Sequence, residues 1–314
     1  MDFDGLNVVD EVKLGLMLPG SDRGSVLEIV RKIEDAGLSS VWTGDHIAFH
    51  IPVIECLSLL SFVAAATERI ELGTGVLLLP LRNPTLTAKM TATIDMLSGG
   101  RLRLGVGVGG EFPPEFEAVA APISERGPRT NESIEILRKL WAEGAAEHHG
   151  TAYDFGKIKI EPKPAQEGGP PIIVGGRKAV SMKRAGRLGD GYISHMCDVP
   201  TYTANMSAIA EHARDAGRAG KPFQTAALLF TVLDDSYEAA HQRAAAMLGK
   251  IYNTDFEEAS KRYCLLGKPE DCLEQMRDFA KAGCRHFVLS CLSDPNEIIE
   301  RASTEMMSEL QAII

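Results

Sequence analysis

The sequence predicts an α/β fold, a (β/α)8 TIM barrel of parallel strands each followed by a helix. Three observations predict it. Short apolar segments alternate with helical ones eight times along 314 residues. Those segments are apolar on both faces, as strands of a parallel sheet covered by helices must be. No linker-like or low-complexity stretch divides the chain, which favours one domain over residues 1–314. Barrels of this kind run to about 250 residues, and longer with insertions. The hydrophobic content of 45% supplies a core of that size. An open doubly wound sheet is the alternative, because a strand count does not prove closure.

The elements follow in order. Lys13 to Pro19 reads as strand 1, and Val26 to Ala36 as an amphipathic helix stopped by Gly37. Ser40 to Thr43 is strand 2, followed by a helix of small and apolar residues from Cys56 to Thr67. Ile70 to Pro80 holds strand 3, and the helix from Thr85 to Leu97 ends at Gly99-Gly100. Arg101 to Gly107 is strand 4. A long excursion follows, with Pro113, Pro114 and Pro122 near its start and a helix from Asn131 to Trp141. Pro171 to Gly176 is strand 5, leading into a basic helix that reaches Leu188. Gly191 to Ser194 is strand 6, and Thr201 to Ala216 its helix. Thr225 to Leu233 is strand 7, with a helical insertion from Ser236 to about Tyr263. A helix from Pro269 to Ala282 precedes strand 8, Arg285 to Ser290, and helices run on from Pro295. The predicted barrel therefore carries insertions after strands 4 and 7.

The charge balance narrows the function classes. A net charge of -10 argues against nucleic acid and anionic membranes as partners. Met1-Asp2-Phe3-Asp4 is acidic where a signal peptide is basic. No apolar run approaches the roughly 20 residues of a membrane span. Six scattered cysteines form no CxxC pair, which suits reduced thiols in the cytoplasm better than disulfides or zinc.

Four constellations carry chemistry. Ser40-Val41-Trp42-Thr43-Gly44 delivers Asp45 and His46 at the carboxyl end of a strand, where α/β folds build sites. Histidine titrates near neutrality and exchanges a proton with a reacting group, and a neighbouring carboxylate orients it. The alternative is a capping Asp45 beside a structural His46. His46 and His50 share i, i+4 spacing but lack the Glu-x-x of a metalloprotease helix, so no metal is expected. Gly73-Thr74-Gly75-Val76 marks either barrel curvature or close approach by another molecule. Gly105-Val106-Gly107-Val108-Gly109-Gly110 formally matches the dinucleotide fingerprint, but that motif must open a helix. Glu111-Phe112-Pro113-Pro114 argues against one, and a glycine floor beneath a flat ring, centred on Gly107, reads better. Gly175-Gly176-Arg177-Lys178 offers bare amides at a helix N-terminus plus two cations. That suits a phosphate; the alternative is a tight turn with solvated basic residues. Together these features suggest a phosphate-bearing cofactor across the barrel mouth.

Over nearly its whole length the chain resembles the bacterial luciferase-like family of flavin- and deazaflavin-dependent oxidoreductases. Residues 36–46, 66–76 and 97–107 carry the resemblance, with 161–164, 175–176 and 184–192 in the second half. The resemblance implies a barrel with insertions, often dimeric, that binds flavin mononucleotide (FMN) or the deazaflavin coenzyme F420. By resemblance Asp45 contacts the ring edge and His46 is the acid/base. A bulge with a non-prolyl cis peptide behind the ring maps onto Gly75-Val76, with Thr74 beside it. A glutamate after strand 4 takes part in catalysis in some members. Glu111 is the nearest match here, its spacing shifted by one at Gly110. The phosphate is expected on Gly175, Gly176 and Arg177. Phe49, Ile51, Phe112, His195 and Met196 are candidate substrate-side residues from their places after strands 2, 4 and 6; ordinary packing is the alternative. The function implied is F420-dependent hydride transfer to or from a small organic substrate, in a homodimer. An FMN-dependent monooxygenase using O2 and a separate reductase is the second reading. A non-catalytic store of the coenzyme is the third.

Overall fold

The computed structural model describes residue 3, residues 5–19 and residues 22–312. Met1, Asp2 and Asp4 of the acidic N-terminus lie outside the described residues. Eight parallel strands form a closed ring: β1 (Lys13–Met17), β2 (Ser40–Thr43), β3 (Glu71–Thr74), β4 (Leu102–Gly107), β5 (Ile172–Gly175), β6 (Gly191–His195), β7 (Pro222–Leu233) and β8 (His286–Cys291). Each strand pairs with its neighbours in sequence, and β8 returns to β1 with Leu289 beside Leu16. The doubly wound alternative is thereby excluded, since an open sheet leaves two edges unpaired.

Side-chain alternation sorts each strand into an inner and an outer face. Trp42, Ile173, Ile193, Ala226, Leu228 and Val288 fill the barrel interior. The opposite faces join the helices in one large core that includes Leu16, Val41, Leu72, Leu104, Ile172 and Val174. Helix ends use local chemistry. Asp22 caps helix Arg23–Asp35 by accepting from the Gly24 and Ser25 amides. Gly99, left-handed at φ 69°, ends helix Pro84–Ser98.

The departures from expectation have local causes. Strand 3 does not run unbroken to Pro80. It stops at Thr74, and after a cis Gly75–Val76 peptide only Leu77–Leu78 rejoins β4 before a 3-10 turn at Leu79–Leu81. The helix expected from Asn131 begins at Arg126, because Pro128 falls in its first turn, where a missing amide costs nothing. The insertion after β4 also holds a hairpin, Ala146–His149 with Asp154–Ile158. The insertion after β7 is helical at Tyr237–Tyr252 and Glu257–Tyr263, as expected. It ends in a strand, Cys264–Gly267, that pairs with the far end of β7. Ala240, Ala244, Leu248 and Phe256 pack there on Phe230 and Val232 as a separate small core. No helix among the described residues is long and apolar enough to cross a membrane.

The amino-terminal end of the barrel is closed by a polar cluster. Lys13 and Arg103 meet the Glu71 carboxylate at 2.8 and 2.6 Å. His286 and the Trp42 indole converge on the Ser40 hydroxyl at 2.7 and 2.9 Å. Burial, opposed by Glu71, pushes the His286 imidazole down to about 4. Burial likewise pushes His195 to about 4. Both groups bind protons more weakly folded than unfolded, so stability is present above pH 6.5 and is lost as pH falls towards 4. Each contributes a slope of about 1.4 kcal/mol per pH unit within that window. Denaturant midpoints measured between pH 7 and 4 should therefore fall, and His286→Asn should flatten the fall. An unchanged slope in that variant would assign the pH dependence elsewhere.

Candidate active site

The loop after β2 is tied down from beneath. The Asp45 carboxylate is fully buried and accepts from the Leu78 amide at 2.9 Å and from Arg82 at 2.6 Å. Arg82 also reaches Glu55 at 3.1 Å, and Glu55 caps helix Cys56–Ala66. One guanidinium thus anchors both ends of residues 45–55. Asp45 sits beside His46 as the sequence predicts, but its oxygens are engaged inward rather than presented at the open mouth. Asp45, Glu55 and Cys56 bring three ligand atoms within 4.8 Å of one another. Arg82 pairs with both carboxylates, and burial raises the Cys56 thiol.

His46 stands partly open at the rim. Its Nδ1 lies 3.3 Å from both Glu115 oxygens, and the same carboxylate accepts the Ile47 amide at 3.1 Å. Glu115 is fully buried. With Glu115 as the acceptor, Nδ1 is the donor and Nε2 is left for other partners. The sequence reading named Glu111 as the nearest match to a catalytic glutamate after strand 4; the carboxylate that meets His46 is Glu115. The short helix Pro114–Ala118 turns Glu115 inward, while Glu111 stays about half exposed and pairs with Arg177 at 2.8 Å.

The glycines behind the mouth lie close against protein. A Cβ at Gly107 would lie 2.4 Å from a Val76 methyl, and one at Gly175 would lie 2.7 Å from the other. One at Gly105 would strike the Thr74 carbonyl at 1.8 Å. The Thr74 hydroxyl donates to the Gly105 carbonyl at 2.6 Å and is fully buried. The bulge Thr74-Gly75-Val76 is thus pressed into β4 and β5, and Val76 packs towards the barrel interior.

The turn after β5 suits an anion. Gly176 is left-handed at φ 144°, and a Cβ there would meet the Ser181 hydroxyl at 2.3 Å. Helix Ala179–Leu188 has no side-chain cap at Lys178, which leaves the Ala179 and Val180 amides for a ligand oxygen, while the Ser181 amide donates to the Lys178 carbonyl at 2.7 Å. The Tyr192 hydroxyl holds the Gly176 carbonyl at 3.2 Å. These residues fit a phosphate. Arg177 is half exposed, bound to Glu111 and lying 3.5 Å from the Met196 sulfur.

An aromatic cluster bridges the remaining rim. Phe49 stacks on His46 with ring centres 4.0 Å apart and meets Phe112 edge-on at 6.1 Å. Tyr252, from the insertion after β7, joins Phe49 at 6.4 Å and Phe230 at 6.3 Å. Phe230 in turn meets His195 at 5.3 Å. Ile51 lies on the wall of a cavity of about 450 Å³ lined by residues 46–53. The structure therefore gathers His46, Phe49, Ile51 and Phe112, brings His195 in through Phe230, and sets Met196 beside Arg177. The sequence reading missed Glu115, Arg82 and Tyr252.

Comparison with known proteins gives a consistent picture. The family model described as luciferase-like monooxygenase matches residues 8–301. An F420-dependent glucose-6-phosphate dehydrogenase from Amycolatopsis mediterranei is 27% identical, over 92% of this chain and 95% of that protein. A solved F420-dependent secondary alcohol dehydrogenase, in complex with an F420-acetone adduct, superposes with TM-score 0.86 at 21% identity, covering 96% of this chain and 99% of the other. The monooxygenase RslO1 from Streptomyces bottropensis superposes with TM-score 0.83 at 22% identity, covering 95% and 99%. At those identities the two structures speak for the fold.

Proposed function

This chain belongs to the luciferase-like monooxygenase family and is an oxidoreductase, and on that premise we propose hydride transfer between coenzyme F420 and a small organic substrate, within one barrel domain. The observation that carries the reading is the pairing of His46 with buried Glu115 on the rim that also holds the uncapped turn 175–178. The turn and Arg177 would hold the phosphate, and Val76 would back the ring. The deazaflavin, when bound, supplies or accepts the hydride. His46, with Nδ1 on Glu115, gives or takes the proton at the substrate oxygen through Nε2. Asp45 acts through Arg82 by fixing the loop that carries His46. The rings of Phe49, Phe112 and Tyr252 keep water from the reacting atoms.

The same turn suits the phosphate of FMN, so a monooxygenase working with a separate reductase is the competing reading. Titration of the protein with F420 and with FMN, followed by tryptophan fluorescence (Trp42 lies in the barrel interior), separates the two. Micromolar or tighter binding of F420, with FMN at least about tenfold weaker, is the expected result. Preference for FMN overturns it. Helix Pro84–Ser98 leaves Leu86 and Leu97 exposed, which supports a homodimer. All six cysteines are unpaired thiols, which supports a reducing cytoplasmic setting.

A further inference from the structure

The substrate side of the mouth carries rings and aliphatic chains in place of free charge. Residues 46–53 wall the cavity, and they contain no lysine, arginine or carboxylate. His46 and His50 are their only titratable groups. Phe112 and Tyr252 stand beside Phe49 of that loop, with His50 and Phe112 meeting edge-on at 5.0 Å. The nearby guanidinium groups have other partners. Arg82 is locked beneath the loop by Asp45 and Glu55, and Arg177, paired with Glu111, belongs to the turn assigned to the cofactor phosphate. Arg126 lies under Gly110 and donates to the Ile123 carbonyl at 2.7 Å.

A phosphorylated sugar requires the opposite surface. Its phosphate calls for a guanidinium fork or an ammonium, and each hydroxyl for a polar partner. A hydroxyl buried against phenyl rings without a partner is penalised. Aromatic edges and faces instead match a flat or cyclic apolar ligand.

We propose that this enzyme takes a neutral, ring-bearing carbonyl or alcohol compound, held against Phe49, Phe112 and Tyr252, and does not take sugar phosphates. The assignment rests on the reading that this rim serves an F420-dependent oxidoreductase. It departs from the glucose-6-phosphate dehydrogenases to which the chain is similar.

Equilibrium binding tests it, with acetophenone and glucose 6-phosphate titrated calorimetrically into the F420-loaded protein. Acetophenone should bind at least about tenfold more tightly than glucose 6-phosphate. Phe49→Ala and Phe112→Leu should each weaken acetophenone by about tenfold while retaining F420. Equal or tighter binding of glucose 6-phosphate overturns the proposal, as does acetophenone affinity that neither variant moves. The same titrations without coenzyme separate the two layers of the argument. Absence of F420 binding removes the cofactor reading, whereas a ring-dependent preference for acetophenone in the free protein still upholds the substrate class.

Discussion

His46→Ala lowers turnover about 10²- to 10⁴-fold while F420 affinity changes only a few-fold. That range is what a positioned general acid or base contributes. The geometry explains why the loss is chemical rather than structural. His46 is a partly open rim residue whose Nδ1 rests on Glu115. Removing the ring leaves Glu115 its bond to the Ile47 amide, so the buried carboxylate keeps one partner. Phe49 loses its stacking partner but keeps its contacts with Phe112 and Tyr252. Single-turnover oxidation or reduction of bound F420, followed by absorbance, isolates the chemical step. Unchanged turnover would remove His46 from the mechanism. Tight F420 binding with no turnover in the unaltered protein would instead favour the storage reading.

The difference between His46 and Glu115 shows what a sequence exposes. Asp45-His46 is legible because strand, turn and titratable pair are contiguous, and position at a strand end is a local property. Glu115 is not, because its partner lies 69 residues away and only the closed barrel brings them together. The one local signal for it was Pro113-Pro114, which starts a short helix and places Glu115 in its first turn. Glu111 drew the assignment because it follows the glycine run directly. In the fold that run ends in left-handed Gly109 and Gly110, and the chain swings Glu111 out to Arg177. The barrel itself was legible from eight alternations of apolar strand and helix. The hairpin at 146–158 was not. Its strands are short and polar, and they depend on Glu132 of a neighbouring helix, which accepts from the Ala152 and Tyr153 amides.

Glycine in a strand announces close approach without saying what approaches, and Gly107 makes that ambiguity testable. Gly107→Ala should cost about 1–3 kcal/mol, because its Cβ would sit 2.4 Å from a Val76 methyl inside a packed barrel. In a Val76→Ala background that methyl is gone. The nearest remaining atoms are the residue-76 Cβ at 3.5 Å and a Leu78 methyl at 4.0 Å, both ordinary contacts. The second substitution should then add little, and the double-mutant cycle should show coupling of about 0.5–3 kcal/mol in denaturant unfolding. A floor left clear for a cofactor ring predicts the reverse. Gly107→Ala would then leave stability alone and weaken F420 binding equally in both backgrounds. Additive stabilities would therefore return Gly107 to the cofactor, whereas strong coupling assigns it to the bulge that Val76 anchors.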